Sequence, residues 1–390
     1  MRLIGFSRTA ATAVAAAVVA SATGVTGGPA VAAAGGGDDG SQVPCSTTAL
    51  ITAVVAASPG DTLSLSSACT YHLTSPYTSG EGLPTITDKL TVRGNGATIV
   101  RDGNGTAAFR IFHVGSGGNL RLEDLAVRGG NTGADGGGIL VDSGGKLTLV
   151  GVDVTDNTAT GNGGGVAVSA GATAVVRRGW LAFNNAINGA GLYTGGTLSV
   201  DDSEFSRNHA RNAGGALARV SGNAYVHASL VRRNTSAVAG GGVVNGGGGT
   251  LEFSDSKIAN NTTSGTTGGG IQNLSNLRLE KTEVSGNVVG GTAGAGGGIH
   301  NSTTTAVLVV NGSEILRNSA NGNGTSRAGG IYNNAGSVTL DHSHVRDNAS
   351  TVAPGGVYTT NQFTVTASSV TRNIPTNCAG SAVVVTGCTN

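Results

Sequence analysis

Asp201, His227, Glu252 and Arg278 stand 26, 25 and 26 residues apart, with Tyr225 and Glu280 falling in the same rhythm. Brought together, side chains of these types suit acid–base work on a sugar polymer. Asp201 and Glu252 could move a proton or hold a cation, His227 could assist, and Arg278 could hold an acidic sugar. On a solvated sheet the same spacing gives only cross-strand ion pairs, each worth under about 1 kcal/mol. A second set, Tyr193, His300, Tyr332 and Tyr358 with Gln272, follows a recurring glycine pair by two residues. Aromatic rings with polar rims suit sugar rings, and Trp180, the only tryptophan, is expected to face outward as well. Tyrosine is also a good strand former, so the column could be purely structural. His342 and His344 share a strand without a third ligand, and the sequence carries no phosphate loop or haem motif. We therefore expect no cofactor and no metal.

These residues are spaced by a repeat of about 27 residues. A Gly-Gly-aliphatic step recurs, its last glycine at Gly138, Gly165, Gly191, Gly215, Gly242, Gly270, Gly298, Gly330 and Gly356. In step with it, an apolar residue precedes by three each of Asn157, Asn184, Asn208, Asn234, Asn261, Asn287, Asn318, Asn348 and Asn373. Ten and eight residues before these asparagines stand apolar pairs such as Leu147/Leu149, Leu277/Leu279 and Leu308/Val310. Apolar residues two apart between polar ones are strand periodicity. The aliphatic after the glycine pair, such as Ile139 or Ile299, adds a third inward column. A lone turn buries too little, so only a stack of parallel strands about 4.8 Å apart is stable. The fold expected is all-β: a single-stranded right-handed parallel β-helix of about 10–12 turns, three short strands to a turn, with an N-terminal capping helix.

The asparagines are expected to form a structural ladder, each amide satisfying a buried turn and bonding its copy one turn on. Asparagine also tolerates the left-handed backbone such turns need. Asn245, Asn273, Asn301 and Asn333 form a second column, and a Ser/Thr column runs five before the first, from Ser203 to Ser368.

Composition agrees. The chain of 390 residues has 68 glycines and seven prolines, too Gly-rich for a mainly helical fold. Its net charge of +1 gives no electrostatic case for nucleic acid or a membrane surface. Arg2 and Arg8, then the apolar run Ala10 to Ala22 and small residues near Ala34, read as an export signal. No later segment is apolar enough to span a bilayer. Four cysteines allow three pairings. The local one, Cys45–Cys69 and Cys378–Cys388, needs the least rearrangement and staples both ends. Zinc would need a short paired spacing that is missing. The organisation expected is a signal at 1–34, a flexible linker at 35–44, a cap of helix and first strands at 45–89, the β-helix at 90–375 and a disulfide cap at 376–390.

The segments Pro44-Cys45-Ser46-Thr47-Thr48-Ala49-Leu50-Ile51, Pro59-Gly60-Asp61-Thr62-Leu63, Gly82-Leu83-Pro84-Thr85-Ile86-Thr87 and Leu90 to Ile99 carry a resemblance. They are similar to bacterial secreted β-helix proteins that open with a Cys-Ser-Leu-Arg-Glu-Ala-type segment, although Thr47-Thr48 or their neighbours replace the Arg-Glu. The glycine and asparagine marks also resemble the repeats of polymorphic outer-membrane proteins, without the β-barrel. This resemblance implies an extracellular or surface role. The fold expected also resembles that of pectate lyases and polygalacturonases, but of the latter's motifs only Asp201-Asp202 is present. Our expectation is a secreted, monomeric protein that binds an extracellular or cell-wall polysaccharide or acts in adhesion, without catalysis. The alternatives are a polysaccharide lyase or glycoside hydrolase, with Ca²⁺ entering only in the lyase case, and a structural spacer.

Overall fold

The computed structural model describes residues 40–103 and 107–389; the expected export signal lies outside the described residues. The described chain is a parallel β-solenoid of about 11 turns with one helix. A turn contains four short strands rather than three. In the turn of Asn184 they are Thr173–Arg177, Trp180–Ala182, Asn185–Asn188 and Leu192–Thr194. The first and second strands of successive turns share a 23-stranded sheet, the third strands form nine, and the fourth strands ten. The third strand escaped the sequence reading because in most turns it is two residues long, as at Thr158–Ala159, too short to show a period.

Each turn bends sharply twice in the left-handed region, and neither bend falls on the ladder asparagine. One lies on the residue before it: Asp156, Phe183, Arg207, Arg233, Asn260, Arg317, Asp347 and Arg372 have φ between 54° and 58°. The other lies six before it, at residues such as Arg178, Asp202, Asp255 and His342. A non-glycine residue there costs about 1–2 kcal/mol. At most bends the side chain that follows secures the turn; after Arg178 it is the Gly179 N–H that donates to Ser203 Oγ (3.0 Å). Asn261 Oδ1 accepts from the Asn234 backbone N–H (3.0 Å) and from its Nδ2 (2.9 Å). Asn261 Nδ2 donates to Val231 O (3.1 Å) and to Asn287 Oδ1 (2.9 Å). The pattern repeats from Asn157 to Asn373, and Asn377 in the tail adds a last acceptor for the Asn373 N–H and amide, both at 3.0 Å. At the other bend the hydroxyl column does the same: Ser203 N–H donates to Ser229 Oγ (3.1 Å), and Ser203 Oγ donates to Asp201 O (2.7 Å).

The glycine step follows from the ladder. A Cβ on Gly242 would lie 2.9 Å from Gly270 O and 3.0 Å from Asn261 Cγ, and Gly270 and Gly298 are confined in the same way. Amide and glycine face each other, so the two sequence marks are two sides of one contact. One turn departs from the expected alignment: Leu192 pairs with Leu217, so Ala216, not Gly215, holds the last glycine's place.

Leu147, Leu149, Ile139, Phe253 and their copies fill one continuous core. The second asparagine column points inward with them and ladders from Asn245 through Asn273 and Asn301 to Asn333, then to Thr359 Oγ1 (2.9 Å). Before it in the same column stands Arg219, fully buried. It donates to Asn245 Oδ1 and to the carbonyls of Gly222, Gly246, Gly247 and Gly248. Burial pushes its pKa down to about 10.

Both ends carry the expected disulfides. Helix Thr47–Ala56 starts at the Ser46 N-cap and buries Leu50 and Val54, beside the Cys45–Cys69 disulfide. Cys378–Cys388 closes the tail. The solenoid begins earlier than the expected linker allows: Ser41–Val43 is a strand paired with Thr62–Leu65, which pairs in turn with Lys89–Arg101.

Replacing Asn261 by alanine strands the Asn234 N–H and amide and the Val231 carbonyl. We expect it to destabilise the solenoid by about 3 kcal/mol, while Thr262→Ala on the exposed side costs under about 0.5 kcal/mol. Denaturation midpoints of the two variants compare them directly.

Candidate functional site

The first strands carry the carboxylate set read from the sequence. Register places Asp201 beside His227, and Tyr225 beside Glu252 and then Arg278. The side chains do not converge. His227 Nδ1 lies 3.1 Å from Ser254 Oγ and 3.8 Å from Asp255 Oδ2, and Arg278 Nε lies 3.8 Å from Glu280 Oε2. Among the described residues, no hydrogen bond or ion pair joins Asp201, His227, Glu252 and Arg278 to one another. The face is open, with Tyr225 48% exposed. Outward side chains stand perpendicular to a sheet, so without a wall to turn them they remain an array. Asp202 forms a left-handed bend, which separates it from Asp201.

The outer face of the fourth strands is different. Its central column runs His113, Leu140, Ala167, Tyr193, Ala218, Val244, Gln272, His300, Tyr332, Tyr358, one residue per turn. Although these side chains point outward, Ala167, Ala218, Gln272 and His300 are 5% exposed or less. The face is recessed.

In its C-terminal half, Gln272 Oε1 lies 2.9 Å from His300 Nδ1. The His300 ring tilts against Tyr332, centroids 5.1 Å apart, and Tyr332 stacks on Tyr358 at 4.7 Å and 20°. The Arg327 guanidinium lies over the Tyr358 ring, 5.1 Å from its centroid. Burial lowers His300 to about 4, so its ring is neutral at ordinary pH. The rings cover one another's faces, and what they present outward is their rims. Trp180 is not part of this face. It stands on a second strand, donating from Nε1 to Ser206 Oγ (3.0 Å) and meeting Phe183 edge-on.

The N-terminal half holds residues the sequence reading missed. His113 Nε2 lies 2.8 Å from Asp142 Oδ2, and its Nδ1 3.3 Å from Glu81 Oε1. Glu81 also pairs with Arg110. The bond to Glu81, and then that to Asp142, raises the His113 pKa against the opposing effect of burial. Along the wall beside Tyr193 runs a third ladder: Asn162 N–H donates to Asp135 Oδ1 (2.7 Å), Asn188 to Asn162 (2.8 Å) and Asn212 to Asn188 (2.8 Å). Burial, then the nearby Asp135 carboxylate, raises the Tyr193 pKa. A signal for this ladder was available, since Asp135, Asn162 and Asn188 each stand three before the last glycine of their step. Glu81 and Asp142 lie outside every periodic column, and nothing in the repeat marks them.

Among the described residues, no cluster of His, Cys, Asp and Glu suits a metal ion, and no helix is long and apolar enough to cross a membrane. No family model matches the chain, and no curated protein does either. Two solved structures are similar in fold. One is the A-module of the mannuronan C-5 epimerase AlgE6 of Azotobacter vinelandii, at 14% identity and TM-score 0.42, over 83% of this chain and 94% of that one. The other is PfbA, a surface adhesin of Streptococcus pneumoniae, at 9% and 0.38, over 80% and 90%. At these identities the likeness concerns fold alone.

His113 ties the segment around Glu81 to the first turns. Because its pKa is raised in the fold, its stabilising contribution is complete below about pH 6.5 and is lost as pH rises through the raised value. Amide exchange at Glu81–Ile86, corrected for intrinsic rates, is expected to be faster at about pH 8.5 than at about pH 5.5. His113→Gln should abolish that difference.

Proposed function

We propose that the protein is a secreted β-solenoid that binds an extended glycan along the recessed face of its fourth strands, without catalysis. One observation carries this reading: three of the six tyrosines, with His300 and Gln272, stand in a single recessed outward column. Tyrosine hydroxyls and wall amides both donate and accept, which suits the hydroxyl-rich edge of a polysaccharide. Because the rings of the C-terminal half stack on each other, the contact is through their rims rather than by sugar-on-ring stacking. Two disulfides support an oxidising compartment, in keeping with the export signal expected from the sequence.

The lyase or hydrolase reading draws on the Glu81–His113–Asp142 group at the head of the same face. Both nitrogens of His113 face carboxylates there, which suits holding a segment better than exchanging protons, so binding stands first. Asp201, Glu252, His227 and Arg278 remain the proposed set should turnover be found.

A glycan array followed by titration of the best ligand tests the proposal. Tyr332→Ala is expected to weaken binding by about tenfold, and Tyr225→Ala on the first-strand face to leave it unchanged. Loss of binding in Tyr225→Ala alone would move the site to the other face. Reducing-sugar or unsaturated products in parallel assays would revive the enzyme reading.

A further inference from the structure

The two halves of the recessed face differ in the charged side chains they carry. Its N-terminal half holds the carboxylates Glu81, Asp135 and Asp142, with Arg110 and Arg211 beside them and His113 between Glu81 and Asp142. The C-terminal half has no acid in the corresponding segments. Residues 262–276, 288–307, 319–337 and 349–363 supply its third strands, walls and fourth strands, and they contain no Asp or Glu. Arg327 is the only Lys or Arg in them. The acids of these turns, such as Glu280, Glu283, Glu314 and Asp341, lie on first and second strands.

Arg327 is fixed in place. Its backbone N–H donates to Gly294 O (2.9 Å), and it bridges to Ala295 in the turn before. Its guanidinium lies over Tyr358, half-buried, and its charge reaches the Tyr332 hydroxyl. Among the described residues no carboxylate pairs with it, and neither tyrosine hydroxyl has a protein partner. A guanidinium held over a ring face keeps its N–H fork, which matches the paired oxygens of an oxyanion. The surroundings thus hold one positioned cation with free donors, two free phenols beside it and no competing acid.

We propose that this half of the face is a subsite for an acidic sugar, with an anionic substituent of the bound glycan, carboxylate or sulfate, docking on Arg327 and the hydroxyls of Tyr332 and Tyr358. The proposal rests on the glycan-binding reading above and adds a ligand class and a direction to it. Acidic units lie toward the C-terminal end.

The test is calorimetric titration of the full secreted chain with three probes: an oligogalacturonate, its methyl-esterified neutral counterpart and a sulfated oligosaccharide. Wild-type protein should bind one of the anionic probes more tightly than the neutral one, and added salt should weaken that binding. Arg327→Ala should lower anionic affinity by about tenfold or more, and Arg327→Lys by less. Both variants should lower methyl-ester binding less than anionic binding. Equal anionic affinity in Arg327→Ala, or an equal fall for the neutral probe, overturns the subsite. If the neutral probe binds with dependence on Tyr332 but not on Arg327, the subsite falls and the glycan reading stands. If no probe and no arrayed glycan binds, both fall.

Discussion

A left-handed bend immediately followed by a laddering side chain is the interaction on which the rest of this fold depends. The chain must bend sharply twice in every turn, and arginine, aspartate or phenylalanine bears most of the bends that precede the asparagines. The strain is offset by the amide or hydroxyl that follows, which binds backbone groups and its own copy one turn away. This coupling fixes register, because a slip of one residue would break every rung of the ladder. It also demands glycine opposite the amide. Register in turn decides which side chains form columns and on which face, and so where a ligand could meet the protein.

The two outward faces differ for a physical reason. The first strands form an open surface, so Asp201, His227, Glu252 and Arg278 stand side by side in solvent, where facing charges are weakly coupled. Several outward side chains of the fourth strands, Ala167, Ala218, Gln272 and His300 among them, are buried by their neighbours. The column is consequently recessed, half-desolvated and held in place, as the His300–Tyr332–Tyr358 stack shows. Pre-ordered polar groups in a recess lose less freedom on binding than mobile side chains on an open sheet.

Much of this was legible in the sequence, and the exceptions are instructive. The asparagine and glycine columns, the inward apolar positions, the capping helix and both disulfides follow from periodicity and composition. The position of the bend does not, because asparagine's own tolerance of left-handed backbone suggests the wrong residue. Nor does the third strand, which at two residues has no period. Tyr332 and Tyr358 were visible as a column, but their mutual stacking depends on rotamers the sequence does not specify. Arg219 sits at an inward position, where a polar side chain reads as an exception until Asn245 and the glycine carbonyls around it are seen. Glu81, Asp142 and Arg327 lie in segments whose lengths vary from turn to turn, and only the folded chain brings them to the fourth-strand face.

The most direct measurement is a hydrogen-exchange footprint of the full chain with its best-binding oligosaccharide. Binding along the recessed face predicts slowed exchange at 192–194, 271–273, 299–301, 331–333 and 357–359 and in the flanking loops, with the first strands unchanged. Protection centred instead on 199–201, 225–227, 252–254 and 278–280 would contradict the account and place the ligand on the open face.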